Sequence, residues 1–459
     1  MIFYSIPFFV LFICSSVLFH NVKTAKQQHW VILAANIFFY GYWDIRFLLL
    51  LALEILVCYY AMLRFAARKK RFWMIASSTV CLLVLGIFKY SNFFIESFSR
   101  AFGIYDPIML KLIVPLGVSF YTFQMLSYIF DVYRNVIPAE KNFIKLAAYI
   151  SFFPQITSGP IVKARDFLPQ LNHLHKIEKA NVYKGLQLIL LGLTKKIVFA
   201  DRIGVAVDAV FSTPSAYSGI SILFAIVGYS VQIYCDFSGY SDMAIGIATI
   251  WGFDLGKNFN MPYLAKNPSD FWKRWHISLS SWFQEYVYIP LGGSRVGTAR
   301  TYCNLFITML LSGIWHGARW TFVLWGIPHA LGSVVHKAAG NVRRTEHLKK
   351  RHLISILGNY MYVSMLWVVF RAENIEKAVS MFTGLFHLEG IFYVNVYVVV
   401  YTLLIVLGNV LAYTRNEGNS INPSLDLDTF RGKFLLSIWL FLIVMFAYAG
   451  NSAFIYAQF

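Results

Sequence analysis

Charge is the first thing this sequence lacks. Charged residues make up 14% of its 459 positions, against about 25% in an ordinary soluble domain. Acidic residues are scarcer still, at 22 against 40 Lys and Arg, a formal net charge of +18. Cysteine is sparse as well. Cys14, Cys58, Cys81, Cys235 and Cys303 sit in or beside apolar runs without CxxC spacing, which argues against a disulfide framework and a zinc site. There is no Ser-centred nucleophile elbow and no phosphate-binding glycine loop. Metal ligands do not cluster: His173 and His175 are two residues apart, off a common helical face, with no third ligand nearby. No Gly/Ser- or Pro-rich linker divides the chain.

Apolar residues fill the space, at 58% with a mean hydropathy of +0.58. The expected fold is an all-α polytopic membrane protein of roughly 10–12 transmembrane helices of about 20 residues each, some short or broken. The whole chain, 1–459, reads as a single integral-membrane domain. Its basic residues fall between apolar runs rather than on one soluble face: Arg64 to Arg71, Lys257 to Arg300, and Lys337 to Arg351. That is the positive-inside pattern of cytoplasmic loops, assisted by anionic headgroups, and it argues against nucleic-acid binding. Ile2 to Phe19 lacks a basic leader and a small-residue cleavage site, so it reads as a retained first helix.

Breaks in the pattern mark the informative stretches. Asp44 and Arg46 are placed to neutralise one another; Glu54 has no partner that the sequence names. Lys89 is close enough to a helix end to snorkel. Pro115 and Gly117 should break a helix, beyond which Gln124, Ser127 and Asp131 share one face and point inward. Phe152 to Pro160 should leave the helix as a re-entrant or interfacial segment. Asp236 and Asp242, in an apolar run, should anchor neighbouring helices or satisfy basic residues.

The densest stretch runs from Asp270 to Ala330, with His276, His316 and His329, six tryptophans and a basic entrance at Lys273 and Arg274. The basic loops on either side should share the cytoplasmic face. The apolar segments between them then leave and return, with His316 near the apex and His276 near the cytoplasmic side. Histidine is the usual base for taking a hydroxyl proton at neutral pH. Gly313 and Gly317 allow close backbone approach around Trp315 and His316. The plain alternatives are a core histidine bonded to Ser312 and, for Lys273 and Arg274, solvated surface charge.

Five motifs in order carry a resemblance: Val114-Pro115-Leu116-Gly117-Val118-Ser119-Phe120-Tyr121-Thr122-Phe123-Gln124; Phe153-Pro154-Gln155-Ile156-Thr157-Ser158-Gly159-Pro160; Tyr234-Cys235-Asp236-Phe237-Ser238-Gly239-Tyr240-Ser241-Asp242; Trp275-His276; and Trp315-His316-Gly317. Together they resemble the membrane-bound O-acyltransferases, in particular the bacterial branch that O-acetylates exported or cell-wall polysaccharides. The resemblance is close over roughly Met1 to His336 and looser beyond. It implies a helical bundle with re-entrant and amphipathic segments around a central funnel or channel, residues 110–336 being the catalytic core. It also implies a multi-pass protein of the bacterial cytoplasmic (inner) membrane. By the same resemblance His316 is the essential histidine and His276 the second catalytic or donor-positioning one. Trp272, Lys273, Arg274, Gln124, Asn304, Trp315 and His329 are candidates for the donor site or acyl channel. Acetyl-CoA would be the acyl-donor substrate, with no tightly bound cofactor and no metal, and a separate extracytoplasmic acetyltransferase would be the partner. Two readings stay open beside this: D-alanyl transfer for teichoic acid from an acyl carrier protein thioester, and a transporter or flippase using the same cavity without acyl chemistry.

Overall fold

The computed structural model describes residues 1–66, 70–157, 159–340, 349–415, 425–448 and 450. Arg68, Lys69, Ser158, Arg343, Arg344 and residues 416–424 lie outside them. Helices dominate; among the described residues the only extended pairing is an isolated bridge between Tyr217 and Ile391. Among the described residues four helices are long and apolar enough to cross a membrane: Ile45–Leu63, Lys70–Ala101, Gly219–Ile250 and Leu353–Arg371. Ile6–Asn21, Phe143–Ile156 and Val396–Leu411 are shorter apolar helices. The helical architecture and its several apolar helices agree with the polytopic membrane fold expected, in which some of the roughly 10–12 segments are short or broken. Prolines, glycines and polar side chains shorten the other apolar stretches or dilute their hydrophobicity.

The described residues gather into two compact units, Met1–Ile189 with Ser241–Gly256, and Leu190–Tyr240 with Lys257–Phe459. Of the three boundaries, one falls inside the helix Lys179–Leu193, one inside Gly219–Ile250, and the third between Gly256 and Lys257.

In the first unit, Trp251 and Phe19 stack at 4.8 Å, and the Trp251 indole donates to Ser16 Oγ at 2.7 Å. Asp44 pairs with Arg46 at 2.6 Å, as the sequence suggested. Glu54 is buried and faces Tyr121. Lys89 differs from the expectation. It lies in a π-helical turn, Gly86–Tyr90, within the Lys70–Ala101 helix, and its ammonium donates to Ser119 Oγ at 3.2 Å instead of reaching outward. The Val118–Tyr133 helix starts at Gly117, whose φ of +71° and position, with any Cβ 2.0 Å from the Ile156 carbonyl oxygen, admit only glycine. Gln124, Ser127 and Asp131 are all buried, so the polar face does point inward. The chain leaves the helix after Ile150 and makes one short turn at Phe153–Ile156. Asn36 meets the freed polar groups there: its amide donates to Ser151 Oγ at 2.9 Å and accepts from the Phe153 N–H at 2.9 Å.

In the second unit, the 32-residue helix Gly219–Ile250 carries Asp236 into the interior. Lys196, from the π-helical segment Thr194–Ala200, meets Asp236 at 2.6 Å and Asp201 at 2.8 Å, with all three buried. Asp236 therefore does satisfy a basic residue. An isolated charge here would be prohibitively costly, and the cluster persists because each member has a hydrogen-bonded counter-charge. Lys196→Met should strand two carboxylates and cost on the order of 3–5 kcal/mol, read as a large fall in thermal stability in detergent. Adding Asp201→Asn and Asp236→Asn should recover much of the loss.

Candidate active site

The site lies in the second unit, and its first part is a tight polar clamp. Asn267 caps the short helix Pro268–Trp272 by accepting from the Asp270 N–H at 2.8 Å. The chain then turns so that the Asn260 N–H donates to the Arg274 carbonyl and the Ile277 N–H to the Asn258 carbonyl, both at 2.9 Å. Between these bonds sits His276, in the left-handed region at φ +43° and wholly buried. A non-glycine residue there costs roughly 1–3 kcal/mol and persists only where its surroundings hold it.

Asn258 holds the imidazole. Its Oδ1 accepts from the Ser278 N–H at 3.3 Å and the Ser278 hydroxyl at 2.8 Å, which fixes that atom as oxygen. His276 Nδ1 lies 3.2 Å from the same oxygen. An oxygen facing it makes Nδ1 the donor, so the proton sits on Nδ1 and the lone pair on Nε2. Burial pushes the imidazole pKa down to about 3, keeping it neutral at physiological pH.

The second part is the pair of helices Thr298–His316 and Trp320–Gly340, here the His316 helix and the His329 helix. A Cβ on Gly313 would stand 2.6 Å from the Phe322 carbonyl oxygen and 3.0 Å from the Gly326 Cα, so the two backbones nearly touch. His316 ends its helix, buried, with Trp315 and Trp325 each 5.1 Å away and Phe370 at 5.3 Å. Trp315 reaches His276 at 6.2 Å. Trp325 reaches His329 at 4.6 Å, and His329 meets Trp272 at 5.0 Å. The three histidines thus form one aromatic series, His276–Trp315–His316–Trp325–His329. Neither ring nitrogen of His329 has a hydrogen-bond partner among the described residues.

A cavity of about 560 Å³ opens beside this series, with Trp272, Lys273, Tyr288, Ser312, His336 and Lys337 among its walls. Ser312 lies one turn before His316 and forms part of the wall. Lys337 donates to the Tyr288 hydroxyl at 3.2 Å. Sequence reasoning overlooked His336 and Tyr288, although Ser333, His336 and Lys337 fall four, seven and eight residues beyond His329, on one helical face.

The remaining candidates are distributed differently. Trp272 and Lys273 line the cavity, whereas Arg274 turns to Asp270 at 2.8 Å and is absent from the cavity wall. The Asn304 amide donates to the Leu291 and Gly293 carbonyls, both at 3.1 Å, and so pins the glycine turn. Gln124 belongs to the first unit, buried there with neither side-chain polar atom partnered among the described residues.

The site thus combines buried imidazoles, a broken helical scaffold and a cation-edged cavity. The profile of the membrane-bound O-acyltransferase family matches residues 37–376, and the chain belongs to that family. It is an acyltransferase and a multi-pass membrane protein. The probable alginate O-acetylase AlgI of Pseudomonas aeruginosa is 38% identical over 395 residues, covering 84% of this chain and 75% of the relative. The peptidoglycan O-acetyltransferase of Helicobacter pylori is 36% identical over 392 residues, covering 79% and 74%. The teichoic acid D-alanyltransferase of Bacillus subtilis is 32% identical over 234 residues, covering 48% and 58%.

If Asn258 sets the His276 tautomer, Asn258→Leu should lower acyl transfer roughly tenfold, the worth of one lost hydrogen bond to the imidazole. Asn258→Asp, which keeps the acceptor, should retain most activity. Equal size-exclusion profiles of the two variants separate this from misfolding.

Proposed function

We propose that the protein O-acetylates an exported or cell-wall polysaccharide, using cytoplasmic acetyl-CoA as donor and an extracytoplasmic acetyltransferase partner to complete delivery. The observation that carries this reading is His316, buried one turn beyond the wall of a cavity whose rim holds Lys273 and Lys337. The alginate and peptidoglycan O-acetylating relatives support the acetyl group and the polysaccharide acceptor.

In this reading the donor enters by the large cavity. Lys273, Lys337 and the imidazole of His336 suit the phosphates of coenzyme A, and the apolar walls take the pantetheine arm. The acceptor hydroxyl loses its proton to the His316 imidazole as its oxygen attacks the thioester carbonyl carbon. The carbon–sulfur bond breaks, and the proton passes from His316 to the departing thiolate, releasing free coenzyme A and the acetyl ester. His276 assists from the cytoplasmic half, its Nε2 lone pair directed by Asn258.

The 21 residues of the His329 helix span roughly 30 Å at about 1.5 Å per residue, the thickness of a bilayer's apolar core. Lys337 is near one end and Arg319 just before the other. In this reading donor and acceptor sides lie at opposite membrane faces, with His316 reached from both.

D-alanyl transfer from a carrier-protein thioester is the second reading, supported by the teichoic acid relative over about half of the chain. Family membership favours acyl chemistry over a transporter or flippase.

Purified protein should release coenzyme A from acetyl-CoA, and His316→Ala should abolish that release while leaving a folded, monodisperse protein. Wild-type release by the variant overturns the assignment. Lys273→Gln and Lys337→Gln should each raise the KM for acetyl-CoA roughly tenfold with little change in kcat, the signature of lost ground-state binding. Turnover only with an acylated carrier protein would favour the second reading.

A further inference from the structure

An indole N–H can only donate, and a packed interior normally supplies it an acceptor. Elsewhere this chain does so: Trp251 donates to Ser16 Oγ at 2.7 Å, Trp367 to the Tyr263 hydroxyl at 3.1 Å and Trp439 to Thr194 Oγ1 at 2.9 Å. Between the large cavity and His316 it does not. The indole N–H groups of Trp272 and Trp325 and both ring nitrogens of His329 are sealed from solvent, with no hydrogen-bond partner among the described residues. These three rings touch one another. Their centroids are 5.7 Å apart for Trp272 and Trp325, 5.0 Å for Trp272 and His329, and 4.6 Å for Trp325 and His329. A ring met edge-on returns only a fraction of a hydrogen bond.

Placement limits what these donors serve. Trp272 is on the wall of the large cavity, and so is Ser333, one turn beyond His329. Trp325 is shared with His316, at 5.1 Å. The cluster therefore joins the cavity to the base. A neutral imidazole has one N–H, so the set amounts to three uncharged donors. Such donors suit an oxygen that is neutral in the bound molecule and turns anionic only during reaction. A permanent anion, such as the donor's phosphates, would need a counter-charge at this depth.

We propose that Trp272, Trp325 and His329 receive the acyl carbonyl oxygen of the donor and hold it as the oxyanion forms. The catalytic role rests on the acyl-transfer reading of His316; the carbonyl binding does not. As the acceptor oxygen bonds to the carbonyl carbon, its proton goes to His316 and the carbonyl π pair moves onto the oxygen, where the N–H groups hold it. When that pair returns, the carbon–sulfur bond breaks and the thiolate takes the proton from His316. The rings close over these N–H groups, so the acyl end enters by parting them. Trp272, the one ring of the three on the cavity wall, is the ring that turns aside.

The test is infrared spectroscopy of acetonyl-coenzyme A, isotope-labelled at the ketone carbon, bound to the full-length protein in nanodiscs. This analogue carries a methylene between carbonyl and sulfur and is not cleaved. Its carbonyl band should lie below its position in water. His329→Phe and Trp272→Phe keep an aromatic ring and remove the N–H. Each should return part of the shift and lower kcat for coenzyme A release roughly a hundredfold, the worth of one oxyanion donor, with KM changed far less. His329→Gln, which restores an N–H, should recover most of both. A packing role predicts the reverse order, since Phe keeps the ring and Gln does not. Trp272→Phe, at a half-buried position, carries the test if His329→Phe does not fold. A bound carbonyl band above its position in water, or one indifferent to both His329→Phe and Trp272→Phe, would overturn the proposal. Failure of the wild type to bind acetonyl-coenzyme A would sink the acetyl-CoA reading and the proposal together. A shift retained in His316→Ala, with coenzyme A release equal to wild type, would leave the carbonyl site standing and sink His316 as the base.

Discussion

Two helices can bring His316 and His329 around one tryptophan only if their backbones nearly touch, and Gly313 against Gly326 is where they do. Any side chain at Gly313 would press on the Phe322 carbonyl, push the hairpin apart and move Trp325 from between the two imidazoles. The rest of the site follows from that contact. The Trp272 and Trp315 rings extend the aromatic series to the donor cavity and to His276. Enclosure in aromatics gives the histidines an apolar surround in which the neutral, proton-accepting form is preferred. The same enclosure excludes water that would compete with the acceptor for an activated acyl group.

An interior this apolar tolerates charge only when charge is answered. Lys196 lies between Asp201 and Asp236 in a buried cluster, and its π-helical segment supplies the irregular backbone that turns the ammonium to both. At the cavity edges the logic reverses. Lys273 and Lys337 line the larger cavity, and Arg319 and Lys377 a smaller one. The paired charges thus lie in the packed interior, and these cations at the cavity walls.

Much of this was legible in the sequence. Pro115 with Gly117 announced a break, beyond which the Val118–Tyr133 helix starts, and the prolines of the Phe152–Pro160 stretch announced another; both are local effects of backbone chemistry. Asp44 with Arg46 was legible because the partners are neighbours. The family motifs marked His276 and His316 before any geometry was known. What escaped depends on distance along the chain. Asn258 reaches His276 across 18 residues, and no local pattern announces that pairing. Arg274, read as a donor candidate beside Lys273, pairs with Asp270 four residues earlier. Lys89 looked able to snorkel, but the π-turn at Gly86–Tyr90 aims it at Ser119. His336 was readable by spacing from His329 and was passed over because its surroundings looked like the start of a basic loop.

The central claim is that His316 is reached by donor and acceptor from opposite faces of the membrane. The direct measurement uses proteoliposomes of uniform orientation, with acetyl-labelled acetyl-CoA confined to the side of Lys273 and Lys337 and an oligosaccharide acceptor, with any exported partner, on the other. The account predicts labelled ester on the acceptor across the membrane, with free coenzyme A appearing only on the donor side. Label found only on acceptors sharing the donor's compartment would contradict it.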